Sequence, residues 1–277
     1  MALYDPVNGV YRKVSKKYDP VDGVYRNVTK AYDPVDGVYR QYFSGGGNTA
    51  GALAVGDSLW LNVDGTLTEF LVVHQGNPDS ALYDASCSGT WLLMKDIYSM
   101  VQWDCDEYDQ SDELVSEMSN EYAESEMHKY YMGYYFIRRF DSNVQSAIKD
   151  VKIPYVEGAG YGSVRTGANG LSTKIFLLSG YEVGFTVSDH SALYADGACL
   201  DYFVGATRTT RTAYYNGNEH YWWLRTPQEY EYDIAFCVDT YGYLVNWSCD
   251  KERGMRPAFI LDSNTPFAQA DGKNIIE

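Results

Sequence analysis

A 14-residue unit, repeated three times, limits the first part of this chain to short β-hairpins. The units begin at Tyr4, Tyr18 and Tyr32, and each reads Tyr-Asp-Pro-Val-Asn/Asp-Gly-Val-Tyr-Arg. Asn-Gly and Asp-Gly favour the type I′ turn of a hairpin, and the valines and tyrosines beside them favour strands. We therefore predict three successive hairpin-like units over residues 1–43.

The repeats need a surface to pack against, because one hairpin of this size cannot bury an apolar face. That surface belongs to another repeat, to another subunit of a homo-oligomer or to a larger assembly. A weakly ordered leader is the alternative that the polarity of the repeats leaves open. Residues 44–51 follow, and their run of glycines is typical of a flexible linker.

The charge of the chain argues against several classes of partner. Its 277 residues include 38 acidic and 22 basic side chains, a formal net charge of -16 at pH 7. Such a chain repels phosphate backbones and anionic lipid, so we expect neither nucleic acid nor a membrane as partner. The first residues lack the apolar core of a signal peptide, and no apolar run reaches the roughly 20 residues of a membrane span. We expect a protein made in the cytoplasm without a signal peptide.

Residues 52–263 have the pattern of one α+β domain, with helices early and a small antiparallel sheet late. Ser58–Val63, the turn Asp64-Gly65 and Thr66–Val73 predict a β-hairpin. Apolar residues at helical spacing predict a helix from Ser111 to about Phe140, and a second one over Asn143–Val151.

The last part of the chain predicts strands that close this domain. Ile175–Leu178 reads as a buried strand. Apolar residues alternate in Ser58–Val63 and in Arg256–Leu261, so we predict that the first hairpin pairs directly with the second segment in one sheet. Residues 264–277 are left as a C-terminal tail.

We find no constellation that supports catalysis or metal binding, and we predict no catalytic residue, metal or cofactor. The five cysteines include no C-x-x-C pair, which favours free, packed thiols. Asp189, His190 and Ser191 are consecutive and cannot point at one another as a triad does. The acidic run from Asp104 lacks the glycine and the final glutamate of a calcium-binding loop, so a solvated helix start is the simpler interpretation.

Two anchor blocks enclose the segment that is most informative about function. Trp222–Pro227 and Gly254–Phe259 bracket a stretch rich in Tyr, Asp, Asn and Ser. Tyrosine and tryptophan offer a large contact area at low entropic cost, and the small polar residues offer adaptable hydrogen bonds. We therefore predict a binding face between the anchors, with Arg225 and Arg256 holding carbonyls or carboxylates inside the fold.

The domain resembles one of uncharacterised function that is widespread in bacteria and their phages. Its C-terminal part is similar to the C-type lectin-like fold of formylglycine-generating enzymes and of the variable proteins diversified by retroelements. The 14-residue units resemble repeats at the start of phage or prophage structural proteins, where glycine often replaces Asp-Pro. The likeness covers about residues 52–262 and is carried by Ile175–Ser179, Asp201–Phe203, Ala213–Asn216, Tyr221–Pro227, Val238–Gly242 and Gly254–Phe259.

The resemblance implies a non-enzymatic, virion-associated binding protein. Its lectin-like face would contact a host-surface protein or glycan, and its repeats would contact other virion proteins. Retroelement mutagenesis draws on residues such as Asn, Asp, Tyr, Ser and Cys, so Cys237 and Cys249 are compatible, whereas Glu229, Glu231, Trp247, Lys251 and Glu252 would be fixed scaffold. The contact residues expected on this basis are Tyr230, Tyr232, Asp233, Tyr241, Tyr243, Asn246, Trp247, Ser248 and Asp250.

Two alternatives stay open on the sequence. One is an enzyme of the formylglycine-generating type that uses Cys237 or Cys249, although that activity is expected to need a cysteine pair and the cysteines here are scattered. The other is a purely structural virion component. The calcium-binding sugar motifs of animal lectins are absent, so a lectin-like fold does not by itself imply sugar binding.

Overall fold

The structure is a computed structural model that describes residues 4–276, apart from 8–9, 14–16, 22–23, 29, 36–37, 45–47, 109–110 and 112. The chain divides into two units, Met1–Thr49 and Ala50–Glu277. Strand accounts for 39% of the residues and helix for 15%, so the fold is β-rich with mixed sheets.

The first unit consists of three two-stranded antiparallel sheets, one in each repeat. Val7 pairs with Val10, and the same register recurs at Val21 with Val24. The Asn-Gly and Asp-Gly turns that we predict lie outside the described residues. The strands are β1 (Tyr4–Val7), β2 (Val10–Lys13), β3 (Lys17–Val21), β4 (Val24–Val28), β5 (Lys30–Val35) and β6 (Val38–Ser44).

The second unit contains the remaining strands. They are β7 (Ser58–Val63), β8 (Thr66–Gly76), β9 (Gly89–Met94), β10 (Ser99–Val101), β11 (Glu107–Tyr108), β12 (Leu114–Ser116), β13 (Val151–Ile153), β14 (Tyr155–Glu157), β15 (Ser163–Arg165), β16 (Leu171–Thr173), β17 (Ile175–Phe176), β18 (Ala213–Tyr215), β19 (Asn218–His220), β20 (Trp222–Pro227), β21 (Ile234–Val238), β22 (Leu244–Ser248), β23 (Arg253–Met255), β24 (Ala258–Leu261), β25 (Ala268–Ala270) and β26 (Lys273–Ile276).

Helices are short in this unit. The α-helices are α1 (Ser142–Ala147) and α2 (Arg208–Arg211). A π-helix spans Met127–Tyr135 and continues as a 3₁₀ turn over Phe136–Arg139. Further 3₁₀ turns are Ala50–Ala52, Ala85–Cys87 and Asp201–Phe203.

A seven-stranded sheet forms the centre of the unit, in the order β17-β24-β9-β8-β7-β26-β25. The hairpin predicted from Ser58 is confirmed as β7 and β8. Its turn residues Asp64 and Gly65 have φ values of 50° and 79°, and positive φ at both positions is what a type I′ turn requires. The predicted buried strand at Ile175 is also present, as the two-residue β17.

The direct pairing predicted between this hairpin and Arg256–Leu261 is wrong. Both lie in the same sheet, but β9 is inserted between β8 and β24 and pairs with each of them. All six residues of β9 are buried. A strand that is apolar on both faces takes an interior position in the sheet, and the alternation in the two outer segments does not reveal it.

Residues 264–277 belong to the second unit and do not form a separate tail. β25 and β26 form a hairpin, and β26 pairs in parallel with β7. Ile276 is buried in the core. The first and last strands of the unit therefore lie side by side.

The long helix predicted from Ser111 to Phe140 is wrong over its first half. Side chains there bond to backbone N–H groups and so compete with helical hydrogen bonds. Asp104 accepts from Ser119 N at 2.9 Å and from Glu126 N at 3.1 Å. Helical structure starts only after these bonds, and the second predicted helix is confirmed only over α1.

A five-stranded sheet, in the order β10-β23-β20-β21-β22, packs with the central sheet around two apolar clusters. Neighbouring residues alternate between the clusters: Trp223 and Leu92 belong to one, and Trp222 and Trp91 to the other. The central strands of both sheets are thus buried on two faces, and loops at the sheet ends carry most of the exposed aromatic side chains.

Candidate binding surface

The anchor strand β20 is buried at every residue. Trp222 and Trp223 are both 0% exposed. Their indole N–H groups donate to Arg211 O at 2.9 Å and to Val101 O at 3.0 Å, so neither buries an unpaired donor. The strand is a rigid base for the loops at its ends.

Arg225 joins this strand to three other segments through all five of its N–H groups. It makes two bonds of 2.6 and 2.7 Å to the buried carboxylate of Glu182. It also donates to the carbonyls of Pro154, Leu177 and Asp196. Burial is the largest single effect and lowers the pKa of Arg225. The charge and hydrogen bonds of Glu182, together with the charges of Asp196 and Tyr83, outweigh it and raise that pKa overall. The expected role of Arg225 inside the fold is confirmed.

Arg256, in the second anchor block, also acts inside the fold. Its guanidinium donates to Met94 O at 2.8 Å and Lys95 O at 3.0 Å and lies 4.8 Å from the centre of the Trp222 ring. Burial without a carboxylate partner lowers its pKa to about 10. The two anchor blocks are therefore tied together around Trp222.

Asp196 is a buried carboxyl group beside the Arg225 network. Its two oxygens lie 3.0 and 2.9 Å from the Thr226 hydroxyl, which also accepts a bond from Gly180 N. Burial raises the pKa of Asp196 to about 6, against the opposing effect of Arg225. The Asp196 carboxyl group therefore changes its charge at about pH 6, next to the strand β20 that supports the loops.

Three tyrosines from two loops form an exposed cluster at one end of β20 and β21. Tyr161, Tyr230 and Tyr232 are 63%, 61% and 60% exposed. The ring centre of Tyr161 lies 5.5 Å from that of Tyr230 and 5.6 Å from that of Tyr232. We call Tyr161, Tyr230 and Tyr232 the tyrosine triad.

Asn120 holds the two loops of the triad together from beneath and is 0% exposed. Its side-chain N–H₂ lies within bonding distance of the carbonyls of Gln228, Glu231 and Ile234. Its side-chain oxygen accepts from Gly160 N at 3.1 Å, and its own backbone N–H donates to Tyr232 O at 2.6 Å. One buried side chain therefore fixes both loops.

The backbone under the triad is tightly packed and locally strained. A Cβ on Gly160 would lie 2.4 Å from Glu231 O, so this position needs glycine. Tyr230 N donates to Gly160 O at 2.7 Å. Tyr230 itself has a φ of 69°, a left-handed conformation that costs a non-glycine residue about 1 kcal/mol. Strain of this kind is common at functional sites.

The other predicted tyrosines lie at the opposite end of β21. Tyr241 and Tyr243 are exposed in the turn between β21 and β22, where Asp239 accepts from both of their backbone N–H groups at 2.8 Å. The Arg208 guanidinium lies 3.9 Å from the centre of the Tyr243 ring. The strand β21 therefore lies between Tyr230 and Tyr232 at one end and Tyr241 and Tyr243 at the other.

The remaining predicted residues lie on or beside the edge strand β22. Trp247 is 39% exposed, with Arg253 stacked 4.2 Å from the centre of its ring. Asn246 bonds to the side chain of Gln228. Asp233, Ser248 and Asp250 are only half-buried, and Asp250 pairs with Lys251 at 2.7 Å.

Two clefts open elsewhere on the described surface. One, of about 370 Å³, lies beside the π-helix and includes His128, whose pKa burial lowers to about 4. The other, of about 300 Å³, is lined by carboxylates around Asp104. Neither contains a residue of the triad. Within the described residues, no group of three or more His, Cys, Asp or Glu side chains is placed to hold a metal ion, and no helix is long and apolar enough to span a membrane.

Comparison with known protein families gives a match for most of the second unit. Residues 88–263 match the model described as Domain of unknown function (DUF6273), which is more than half of the chain. The chain belongs to the DUF6273 family. Neither a search of curated proteins nor a search of solved structures gave a match.

The DUF6273 region includes both anchor blocks, Asn120 and the whole triad. It leaves out the 14-residue repeats and the hairpin β7–β8. The geometry that fixes the exposed loops therefore lies within the family's own part of the chain.

The sequence reasoning missed Tyr161 and Asn120. Tyr161 lies in the glycine-rich stretch from Gly158 that we treat as loop, and only the close approach of Gly160 to Glu231 shows that the loop has a partner. Asn120 lies in the segment predicted to be helical. Its only sequence signal is an uncharged amide beside an acidic run, which is too weak to identify a loop-fixing residue.

Cys237 and Cys249 do not lie on the surface, as a diversified position would. Both are 0% exposed and unbridged. Burial raises the pKa of both thiols, so in this conformation neither is a thiolate at neutral pH.

Proposed function

We propose that this DUF6273 protein is a non-enzymatic binding protein of a phage or prophage. Its second unit has a C-type lectin-like fold, presents exposed aromatic loops to a host-surface protein or glycan, and is open to diversification by a retroelement. Its repeats attach it to other virion proteins and assemble it as a homo-oligomer.

One observation carries the proposal: buried and exposed aromatic residues separate within a dozen positions of the sequence. Trp222 and Trp223 are 0% exposed, whereas Tyr230 and Tyr232 are 61% and 60% exposed. A chain that keeps large aromatic side chains in water on loops fixed from beneath gains little folding free energy from them. Such residues are typical of recognition surfaces.

The parallel pairing of β7 with β26 brings the two ends of the unit together. Cys237 and Cys249 are the residues that the formylglycine-generating alternative would use as nucleophiles. Both are buried, and this burial argues against that alternative.

Adhesion to host cells tests the proposal directly. Labelled full-length protein is expected to bind the bacterial host and to compete with phage adsorption. The double variant Tyr230→Ala/Tyr232→Ala should bind at least about 10-fold more weakly, since each anchor contributes about 1 to 2 kcal/mol. Tyr214→Ala, at an exposed tyrosine on β18, is the matched control and should bind normally.

Sequencing the region that codes for residues 222–253 in related isolates tests the diversification. We expect substitutions at exposed positions such as Tyr230 and Tyr241 and none at Trp222, Trp223 or Arg225. Adhesion that persists in the double variant, or is equally weak in Tyr214→Ala, contradicts the binding surface. A uniform spread of substitutions over residues 222–253 contradicts the proposed diversification but not the proposed binding surface.

A further inference from the structure

Exposed aromatic residues of the second unit fall into two groups according to whether a cation covers them. Arg138 lies 3.7 Å from the centre of the Tyr134 ring, Arg208 lies 3.9 Å from that of Tyr243, and Arg253 lies 4.2 Å from that of Trp247. In each pair an exposed ring already holds a guanidinium from the chain itself. This stacking is the favourable contact between a cation and the negative face of an aromatic ring.

The tyrosine triad differs from these pairs. Among the described residues, no Arg or Lys stacks on Tyr161, Tyr230 or Tyr232, although these are among the most exposed aromatic side chains of the unit. The Tyr161 ring lies against the rings of both Tyr230 and Tyr232. The outward faces of the triad are therefore open to a partner.

Two carboxylates, those of Glu229 and Glu231, lie beside the triad. Hydrogen bonding and charge of the neighbouring Glu229 carboxylate raise the pKa of Tyr230. Glu231 follows Tyr230 directly, and its carbonyl is one of those that Asn120 holds. Within the described residues neither Glu229 nor Glu231 forms an ion pair with Lys or Arg.

We propose that the tyrosine triad, with Glu229 and Glu231, binds a protein partner through an arginine-bearing segment. The partner's guanidinium stacks on a tyrosine face, as Arg253 stacks on Trp247 and Arg208 on Tyr243, and it also pairs with a glutamate. Arginine fits better than lysine, because its planar group stacks and forms two parallel hydrogen bonds. The formal net charge of -16 also favours a positively charged partner.

The inference rests on the proposed function and specifies its partner. The triad is preorganised by Asn120 and Gly160, so little conformational entropy is lost when a partner docks. Tyr161 takes part although it lies outside the segment between the anchors.

Titration of the full-length protein with two short peptides tests the inference. One peptide alternates glycine and arginine, and the other replaces each arginine by citrulline, which keeps the shape and removes the charge. We expect the arginine peptide to bind about 10-fold more tightly by calorimetry, because only arginine can make both the cation–aromatic contact and the ion pair. Raising the salt concentration should weaken this binding.

Variants distinguish binding of the arginine peptide at the triad from its non-specific electrostatic attraction to an acidic protein. Tyr161→Ala keeps the net charge and should weaken the arginine peptide about 3- to 5-fold, and Glu229→Gln by a similar factor. Tyr214→Ala should leave it unchanged. Equal binding of both peptides, or an arginine peptide that Tyr161→Ala does not affect, overturns the inference.

Two further outcomes distinguish this inference from the proposed function. A neutral hexasaccharide that binds in a Tyr161-dependent manner while the arginine peptide does not would replace the basic protein partner with a glycan. Host-cell adhesion that depends on Tyr230 and Tyr232 without any arginine-peptide binding would overturn the inference and leave the binding function standing.

Discussion

Tyr230 combines a left-handed backbone with an exposed side chain, so local stability does not explain its presence. A φ of 69° suits glycine, and the ring gains little from burial at 61% exposure. Asn120 and Gly160 hold this conformation from beneath. At the level of single residues, backbone strain and an exposed aromatic ring occur together at Tyr230.

Replacement of Tyr230 by glycine should therefore stabilise the fold or leave it unchanged. The change relieves about 1 kcal/mol of left-handed strain, which offsets the added entropy of the unfolded chain. Tyr232→Gly is the matched control, because Tyr232 is equally exposed but has no positive φ, and it should lose about 0.5 to 1 kcal/mol. Urea unfolding measures both, and a larger loss at Tyr230 than at Tyr232 would contradict the strain.

Replacement of Asn120 by alanine should destabilise the protein by about 3 kcal/mol. The change removes the bonds that Asn120 makes to the part-buried carbonyls of Gln228 and Glu231 and to the buried Gly160 N, and each group left unpaired costs about 1 to 3 kcal/mol. Asn218→Ala, at an exposed asparagine on β19, should cost less than about 0.5 kcal/mol. Equal unfolding midpoints for the two variants would show that Asn120 does not fix the loops.

Asp196 predicts a pH dependence with a defined sign. Its pKa in the fold, about 6, lies above the value of about 3.9 for an unfolded chain. The stability that the protonated group contributes is therefore full below about pH 4 and lost as the pH rises through about 6, a change of about 3 kcal/mol.

Asp196→Asn should accordingly be more stable than the wild type at pH 7, and the difference should vanish near pH 4. Asp150→Asn, at a highly exposed carboxylate, is the control and should show no such trend. Unfolding free energies of the wild type and of both variants, measured from pH 4 to pH 7, test this prediction. A variant that is less stable at pH 7 would mean that the ionised Asp196 is well paired in the fold.

At the level of elements, the buried strand β20 supports the loops at its ends, and these loops carry the exposed residues. The strand is buried throughout, and its two tryptophans belong to different apolar clusters. Each end of β20 and β21 bears its own tyrosines. The loops can therefore vary in sequence without loss of the core.

Trp222→Ala should cost about 3 to 5 kcal/mol of unfolding free energy, because it leaves a cavity and removes the ring beneath Arg256. Tyr232→Ala should cost no more than about 0.5 kcal/mol. Thermal and urea unfolding compare them on the same chain. Similar losses would mean that the segment between the anchors is core.

Some elements follow from local patterns and others do not. The β7–β8 hairpin and the roles of Arg225 and Arg256 were predictable, because a turn dipeptide and a buried guanidinium each restrict the structure locally. The insertion of β9 beside β24 was not, since two segments with the same alternation can be neighbours or be separated by a buried strand. The loss of helix before Glu126 depends on bonds from Asp104 that spacing does not reveal.

The site shows the same division. The exposure of Tyr230, Tyr232, Tyr241, Tyr243 and Trp247 and the burial of Trp222 and Trp223 were predicted correctly from composition and anchor spacing. Their distribution over two ends of β21 was not, because it depends on where the turns fall. Tyr161 joins the triad through a contact between loops that are distant in sequence.

At the level of the whole molecule, the second unit combines a core with two clusters and a strongly acidic chain with uncovered tyrosine faces. Parallel pairing of β26 with β7 brings the ends of the unit together in the seven-stranded sheet, whereas β20 and β21 belong to the five-stranded sheet. Binding energy is therefore expected to come from a small number of loop residues, and folding energy from the buried strands.

Tyrosine-directed nitration of the full-length protein, read by mass spectrometry with and without host-cell envelopes, tests this account most directly. In the free protein Tyr161, Tyr230, Tyr232 and Tyr241 should react, whereas Tyr83 and Tyr122, both buried, should not. With envelopes present, protection should appear at Tyr161, Tyr230 and Tyr232 and not at Tyr214. Protection that is absent, or that falls only outside the triad, would contradict the claim that these loops are the binding surface.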